Sequence, residues 1–172
     1  MSHPGYPRTG APEGLAQPRE PALEAVPAWD LRDLYASIDD PAISADLDRA
    51  DAGAREFEQS FQGRVDALSG AELAGAIAAY ERIEERLGRV LSYAQLVFAA
   101  DSTAPETGQF YQTMMERATD TGTHLLFFAL EINRIEDAAL EQRLEDAALA
   151  RFAPWLRDLR VFRPHQLSDE LE

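Results

Sequence analysis

The 172-residue chain contains no cysteine and no lysine, and only three histidines. Without cysteine, disulfides and thiolate metal sites are excluded, and a reducing compartment fits. Long apolar runs are missing too. The run from Leu125 to Leu130 falls far short of the roughly 20 residues that span a bilayer. Met1-Ser2-His3-Pro4-Gly5 opens the chain without the apolar stretch of a secretory signal. The default expectation is therefore a cytoplasmic protein. All 16 basic residues are arginine. Together with abundant alanine, this reads as the codon bias of a GC-rich genome rather than as a site.

Basic charge is scarce overall, at 16 residues against 31 acids, giving a net charge of −15. The first 28 residues hold Arg8 and Arg19 against Glu13, Glu20 and Glu24, so the excess acid belongs to the later part. Such a surface repels phosphate backbones and anionic headgroups, so neither nucleic acid nor membrane is an expected partner.

Catalytic signatures are equally absent. There is no His-Glu-x-x-His, no glycine-rich phosphate loop and no Gly-x-Ser-x-Gly elbow. His3 lies in the proline-rich start and reads as solvated. His124 has no histidine at i+4 and has Thr121 at i−3, so the Glu-x-x-His element of a di-iron bundle is missing. It reads as a packed or partly exposed helix residue. His165 follows Pro164 and suits a turn. Glu81, Glu84 and Glu85 beside Arg82, Arg86 and Arg89 read as helix-surface pairs at i,i+4 spacing. The sequence thus predicts no catalytic, cofactor-binding or metal-binding residue in this chain.

What is present is helical periodicity. Residues 1–28 carry six of the ten prolines, lack an apolar pattern and are expected to be a disordered tail. The domain is expected over residues 29–172, opening on Trp29, Leu31, Leu34 and Tyr35 as an apolar anchor. Asp39-Asp40-Pro41 is a helix start. Ile43, Leu47, Ala50, Ala54, Phe57, Phe61 and Val65 then form one seam, which predicts a helix of roughly 27 residues, about 40 Å long. Gly53 and Gly63 weaken it. Ser69 and Glu72 have the form of a capping box. They open a second long helix with Leu73, Ile77, Tyr80, Leu87, Leu91, Ala94 and Phe98 inward.

Asp101 to Glu106 breaks and restarts the pattern. The third helix is expected to carry Phe110, Met114, Ala118, Thr121, Leu125, Phe128 and Ile132, with Gly122 as a weak point. A fourth begins at Asp137 and runs through Leu140 and Leu144, and Pro154 interrupts it before Trp155, Leu156 and Leu159. No alternating β-branched run occurs. The fold class is all-α, long antiparallel helices in a bundle with short connections. Heptads fit residues 43–61 but fade afterwards, against a free coiled coil. Tyr93, Phe98, Phe110, Tyr111, Phe127 and Phe128 are expected to cluster as core around the second and third helices. A groove for an extended peptide would need some of them exposed.

Four segments in order resemble the N-terminal region of the oligoendopeptidase F family, zinc metallopeptidases related to thimet oligopeptidase. They are Trp29-Asp30-Leu31-Arg32-Asp33-Leu34-Tyr35; Arg86 to Ala94 running into Phe98-Ala99-Ala100-Asp101; Leu125 to Ile132; and Arg163 to Glu172. The last is similar to a His-x-Leu-Ser pattern followed by acids, with Asp169 where glutamate is expected. The resemblance implies a helical domain forming one wall of a deep channel that admits short, flexible peptides. It also implies that zinc and its His-Glu-x-x-His ligands lie downstream, so no metal or catalytic residue carries over.

Ser168-Asp169-Glu170 reads as a helix start just before the sequence ends. The expectation is the front portion of a longer zinc endopeptidase, truncated before its catalytic domain and inactive alone, with short peptides met through that missing domain. The competing reading is a stand-alone acidic helical module that binds a protein partner. Oligomeric state does not follow from the sequence.

Overall fold

Two local capping devices set the first two helices where the sequence places them. In the computed structural model, which describes residues 29–161 and 163, the Asp40 carboxylate accepts the Ala42 N–H at 2.9 Å. Helix α1 (Pro41–Phe61) starts there with proline in its first turn. The Ser69 hydroxyl accepts the Glu72 N–H while the Glu72 carboxylate accepts the Ser69 N–H. This is the complete capping box of α2 (Gly70–Ala100). At 31 residues, α2 is about 45 Å long. The all-helical expectation holds, with no strand among the described residues. The expected tail over 1–28 and the helix start at Ser168 lie outside the described residues.

Helix α3 (Pro105–Thr123) completes a three-helix bundle with α1 and α2. Contacts between side chains fix the directions. Phe57 of α1 meets Tyr80 of α2, whereas Arg89, further along α2, reaches back to Asp46 near the start of α1. The two run antiparallel. Tyr93 meets Phe110 at the α2–α3 turn, and Arg117 of α3 pairs with Asp48 of α1 at 2.7 Å. Four short helices follow: α4 (Leu126–Arg134), α5 (Asp137–Arg143), α6 (Ala147–Ala150) and α7 (Ala153–Arg160). They close the bundle end where α1 stops and α2 begins. There α4 packs on the 3-10 turn Val65–Ala67, α6 on α2, and α7 on α4. Phe128, Leu73, Ile77, Ile132, Leu149 and Leu156 are fully buried at this junction.

Three element boundaries depart from the sequence expectation. The first helix ends at Phe61 rather than near Val65, because Gly63 takes φ 74°, a left-handed turn that favours glycine. Val65 is buried as expected, but from the 3-10 turn. The third helix does not run on to Ile132. His124 and Leu125 donate to Thr121 and Gly122 carbonyls in tight i→i+3 fashion, which ends α3 just past Gly122 and restarts the chain as α4. The fourth helix is three: Asp146 accepts the Ala148 N–H at 2.8 Å and so caps α6 after α5 has ended. Pro154 starts α7 rather than interrupting a helix.

The core assignment along α2 also shifts. Ile83, Val90 and Tyr93 are buried, whereas Tyr80, Leu91 and Phe98 are half-buried. The expected single aromatic cluster is three groups. Tyr35, Tyr93 and Phe110 form one, and Phe98 stacks on Tyr111 as a second. Phe57, Phe61, Tyr80, Phe127, Phe128 and Trp155 make the third.

The segment before α1 is anchored as expected, though through Tyr35 rather than Trp29. Trp29 is 77% exposed and Tyr35 3%. The Tyr35 hydroxyl donates to the Asp46 carboxylate at 2.9 Å, and its ring packs edge-on against Tyr93. Arg89 lies 4.8 Å over the Tyr35 ring and donates to the Leu34 carbonyl at 2.7 Å. Thus the first two segments carrying the family resemblance touch each other.

Gly70 is required by a close approach. A Cβ there would sit 2.5 Å from the Arg143 carbonyl oxygen and 2.7 Å from the Asp146 Cβ. Gly75, further along α2, has nothing within 4 Å of its Cβ position. Gly70→Ala is expected to lose about 1–3 kcal/mol by overpacking. Gly75→Ala should gain about 0.5–1 kcal/mol from helix propensity. Urea denaturation of both variants checks the opposite signs.

Burial raises the Tyr35 hydroxyl from its usual 10 to about 12, helped by the hydrogen bond to Asp46. Burial likewise pushes Tyr80 up to about 12, helped by the nearby Glu84 carboxylate. A pKa raised on folding means the folded state favours the protonated form. That stability is complete below pH 10 and is lost as pH rises through about 12. Urea midpoints should hold steady up to pH 10 and fall beyond it, with a shallower fall in Tyr35→Phe. An equal slope in the variant would contradict the assignment.

Candidate functional site

Between α1 and α2 the apolar seam is wide enough to leave an open groove of about 380 Å³. Its floor is Phe57 and Phe61 from α1 with Ala79 and Ile83 from α2. Glu56 and Ser60 form the α1 rim, and Arg82 and Arg86 form the other. Gly53 lies at its edge, where a Cβ would touch Ile83 at 3.5 Å, ordinary van der Waals contact. A second recess of about 290 Å³ adjoins it, lined by Asp46, Arg82, Glu85, Arg86 and Arg89. Arg82 and Arg86 therefore line both recesses. An i,i+4 spacing puts both on one face of α2.

The electrostatics of this rim differ from the surface pairing that the sequence predicts. Arg89 leaves the helix surface for Leu34, Tyr35 and Asp46. Arg86 donates only to the Arg82 carbonyl at 3.3 Å, one turn back along its own helix. Among the described residues, no carboxylate lies within ion-pair distance of the Arg82 or Arg86 guanidinium. Other arginines do find acids, as Arg55 takes Asp51 and Arg117 takes Asp48, while Arg64 reaches the Ser60 carbonyl and Arg151 lies over the Phe152 ring. In a chain of net charge −15, two neighbouring cations without acidic partners mark the groove. Sequence reasoning missed it because Glu85 stands three residues from Arg82, at pairing distance along the helix, and only the three-dimensional arrangement shows the pairing is not made.

The histidine singled out in the sequence serves the fold. His124 stands at the end of α3 with its Nδ1 2.7 Å from a Glu58 carboxylate oxygen, joining α3 to α1. It is partly exposed, as expected. His3 and His165 lie outside the described residues. Among the described residues no group of three or more His, Cys, Asp or Glu is placed to hold a metal ion. Glu84 is the carboxylate whose pKa burial raises; it stands beside Tyr80, away from the lining of both recesses. Among the described residues no helix is long and apolar enough to cross a membrane.

The closing helices have a separate logic. Arg160 of α7 donates to the Ile132 and Ile135 carbonyls at 2.8 and 2.7 Å, covering the free end of α4. It also pairs with Asp137, which Arg163 joins at 2.7 Å. These two guanidiniums hold the Asp137 carboxyl below the usual carboxylate range, the Arg160 hydrogen bond foremost. Arg143 of α5 donates to the Asp66 carbonyl, tying α5 to the 3-10 turn.

This closing region is where comparison with known proteins finds a likeness. No curated protein and no solved structure matches the chain. Residues 131–172, well under half of the sequence, match the N-terminal family model of the M3 peptidases, described as Oligopeptidase F. The match starts at Glu131 in α4 and takes in α5 to α7, whereas the groove-lining residues lie before it. The likeness agrees with the resemblance read along residues 29–172, and the chain is consistent with an N-terminal region of the oligopeptidase F family.

Proposed function

We propose that this chain is the N-terminal helical part of a cytoplasmic zinc metalloendopeptidase of the oligoendopeptidase type, forming one wall of the channel that admits short peptides. The observation that carries the reading is the oligopeptidase F match over residues 131–172. The described part of that segment is built into the bundle end by Arg160, Arg143 and the buried side chains of Ile132, Leu149 and Leu156. An open groove with an apolar floor and arginines along its α2 rim is the kind of surface a peptide channel uses.

The described residues do not fit a zinc seat, since they offer no cluster of metal-binding side chains. In this reading the metal, its ligands and the general base are encoded in other sequence, and the 172-residue chain does not hydrolyse peptides by itself. Its own contribution is to bind, orient and exclude: rigid helices restrict the entrance, and the net negative charge keeps polyanions away.

Reading the coding frame past Glu172 tests this directly. An open frame with an in-frame His-Glu-x-x-His is the expected result. A stop codon directly after Glu172, with no such frame in the neighbouring DNA, would contradict it.

A further inference from the structure

We infer that the groove between α1 and α2 is a seat for the C-terminal carboxylate of a short peptide whose last side chain is apolar. The inference rests on the peptide-channel reading for its ligand class, but its geometry stands on α1 and α2 alone.

Arg82 and Arg86 place two guanidiniums, four residues apart on one helix, at the rim of both recesses. Neither has an acidic partner among the described residues, although both recesses are also lined by acids, Glu56 in one and Asp46 and Glu85 in the other. Asp46 is engaged by the Tyr35 hydroxyl and by Arg49. A guanidinium fork matches a carboxylate bidentately, and two adjacent forks match its two oxygens better than a point charge does. Directly beside them lies an apolar floor of Phe57, Phe61, Ala79 and Ile83.

The pairing of an anion seat with an apolar floor narrows the ligand. Inorganic phosphate or sulfate would use the arginines and leave the floor wet. A purely apolar ligand would leave the guanidiniums unused. A main-chain carboxylate has its own side chain on the adjoining Cα, so one residue satisfies both halves. About 380 Å³ suits one or two residues rather than a long extended strand. Glu56, on the opposite rim, disfavours a ligand with a second negative charge near the floor.

The test uses the 172-residue chain and N-acetyl-alanyl-phenylalanine, set against its C-terminal amide, in NMR chemical-shift titrations. The free acid is expected to bind about tenfold more tightly than the amide, the size of one charge-assisted contact. Shifts should centre on Phe57, Phe61, Arg82, Ile83 and Arg86. Arg82→Gln with Arg86→Gln should erase the acid–amide difference while leaving the thermal midpoint nearly unchanged, because neither guanidinium pairs with an acid among the described residues and Arg86 donates to a carbonyl of its own helix. Gly53→Ala, tolerated sterically, should weaken both ligands by narrowing the floor.

Equal affinity for acid and amide would overturn the inference, as would undiminished acid binding by the double variant or no binding at millimolar probe. Tighter binding of inorganic phosphate than of the free acid would assign the arginines to a phosphate ligand and overturn it too. The coding-frame result is independent. A downstream His-Glu-x-x-His with no acid–amide difference would sink this seat and leave the peptidase reading standing. A stop codon with a clear acid preference would do the reverse.

Discussion

One carboxylate joins the three-helix bundle to the helices that close it. Glu131 of α4 accepts the Gly63 N–H at 2.6 Å and the Val65 N–H at 3.2 Å. Both donors belong to the turn between α1 and α2, where the chain leaves helical geometry and its amides lose intrahelical acceptors. Gly63 at φ 74° turns the chain, and Glu131 answers the donors thereby freed. Charge-assisted bonds of this kind are each worth about 1.5–3 kcal/mol, and leaving a part-buried amide unanswered costs on the same scale. Glu131 is also the first residue of the oligopeptidase F match, so the matched segment begins with its own attachment to the bundle.

That attachment explains why the closing helices are short yet ordered in their packing. None of α4 to α7 is long enough to be stable alone in water. Each is fixed instead by an outside partner. Arg160 covers the end of α4, Arg143 reaches the Asp66 carbonyl, and Gly70 lets the Arg143 carbonyl come against the first turn of α2. The groove with Arg82 and Arg86 is lined by α1 and α2 and not by these closing helices.

How much of this was legible from the residues depends on how local the deciding interaction is. Asp40-Pro41 and Ser69-Glu72 announce helix starts because cap, donor and acceptor sit within a few residues. The break at His124–Leu125 hides, because Leu125 and Phe128 keep helical spacing across it and are buried in the core. Gly122 was the one local hint. The roles of Glu131 and Gly70 were not legible, since their partners lie far along the chain. The arginine rim was misread for a related reason. Spacing along a helix says which acids stand near, while Arg89's engagement with Leu34, Tyr35 and Asp46, and the absence of an acidic partner for Arg82 among the described residues, are set by tertiary placement.

The described residues of the oligopeptidase F match are an integral part of one fold, held to the bundle through Glu131. Native-state hydrogen exchange on the wild-type chain tests it most directly. Amides of α4 and α7 should exchange through the same global opening as the core of α2, with Gly63 and Val65 protected and released selectively in Glu131→Ala. Fast exchange throughout α4 to α7 beside a protected α2, with the Gly63 and Val65 amides already open in the wild type, would contradict it.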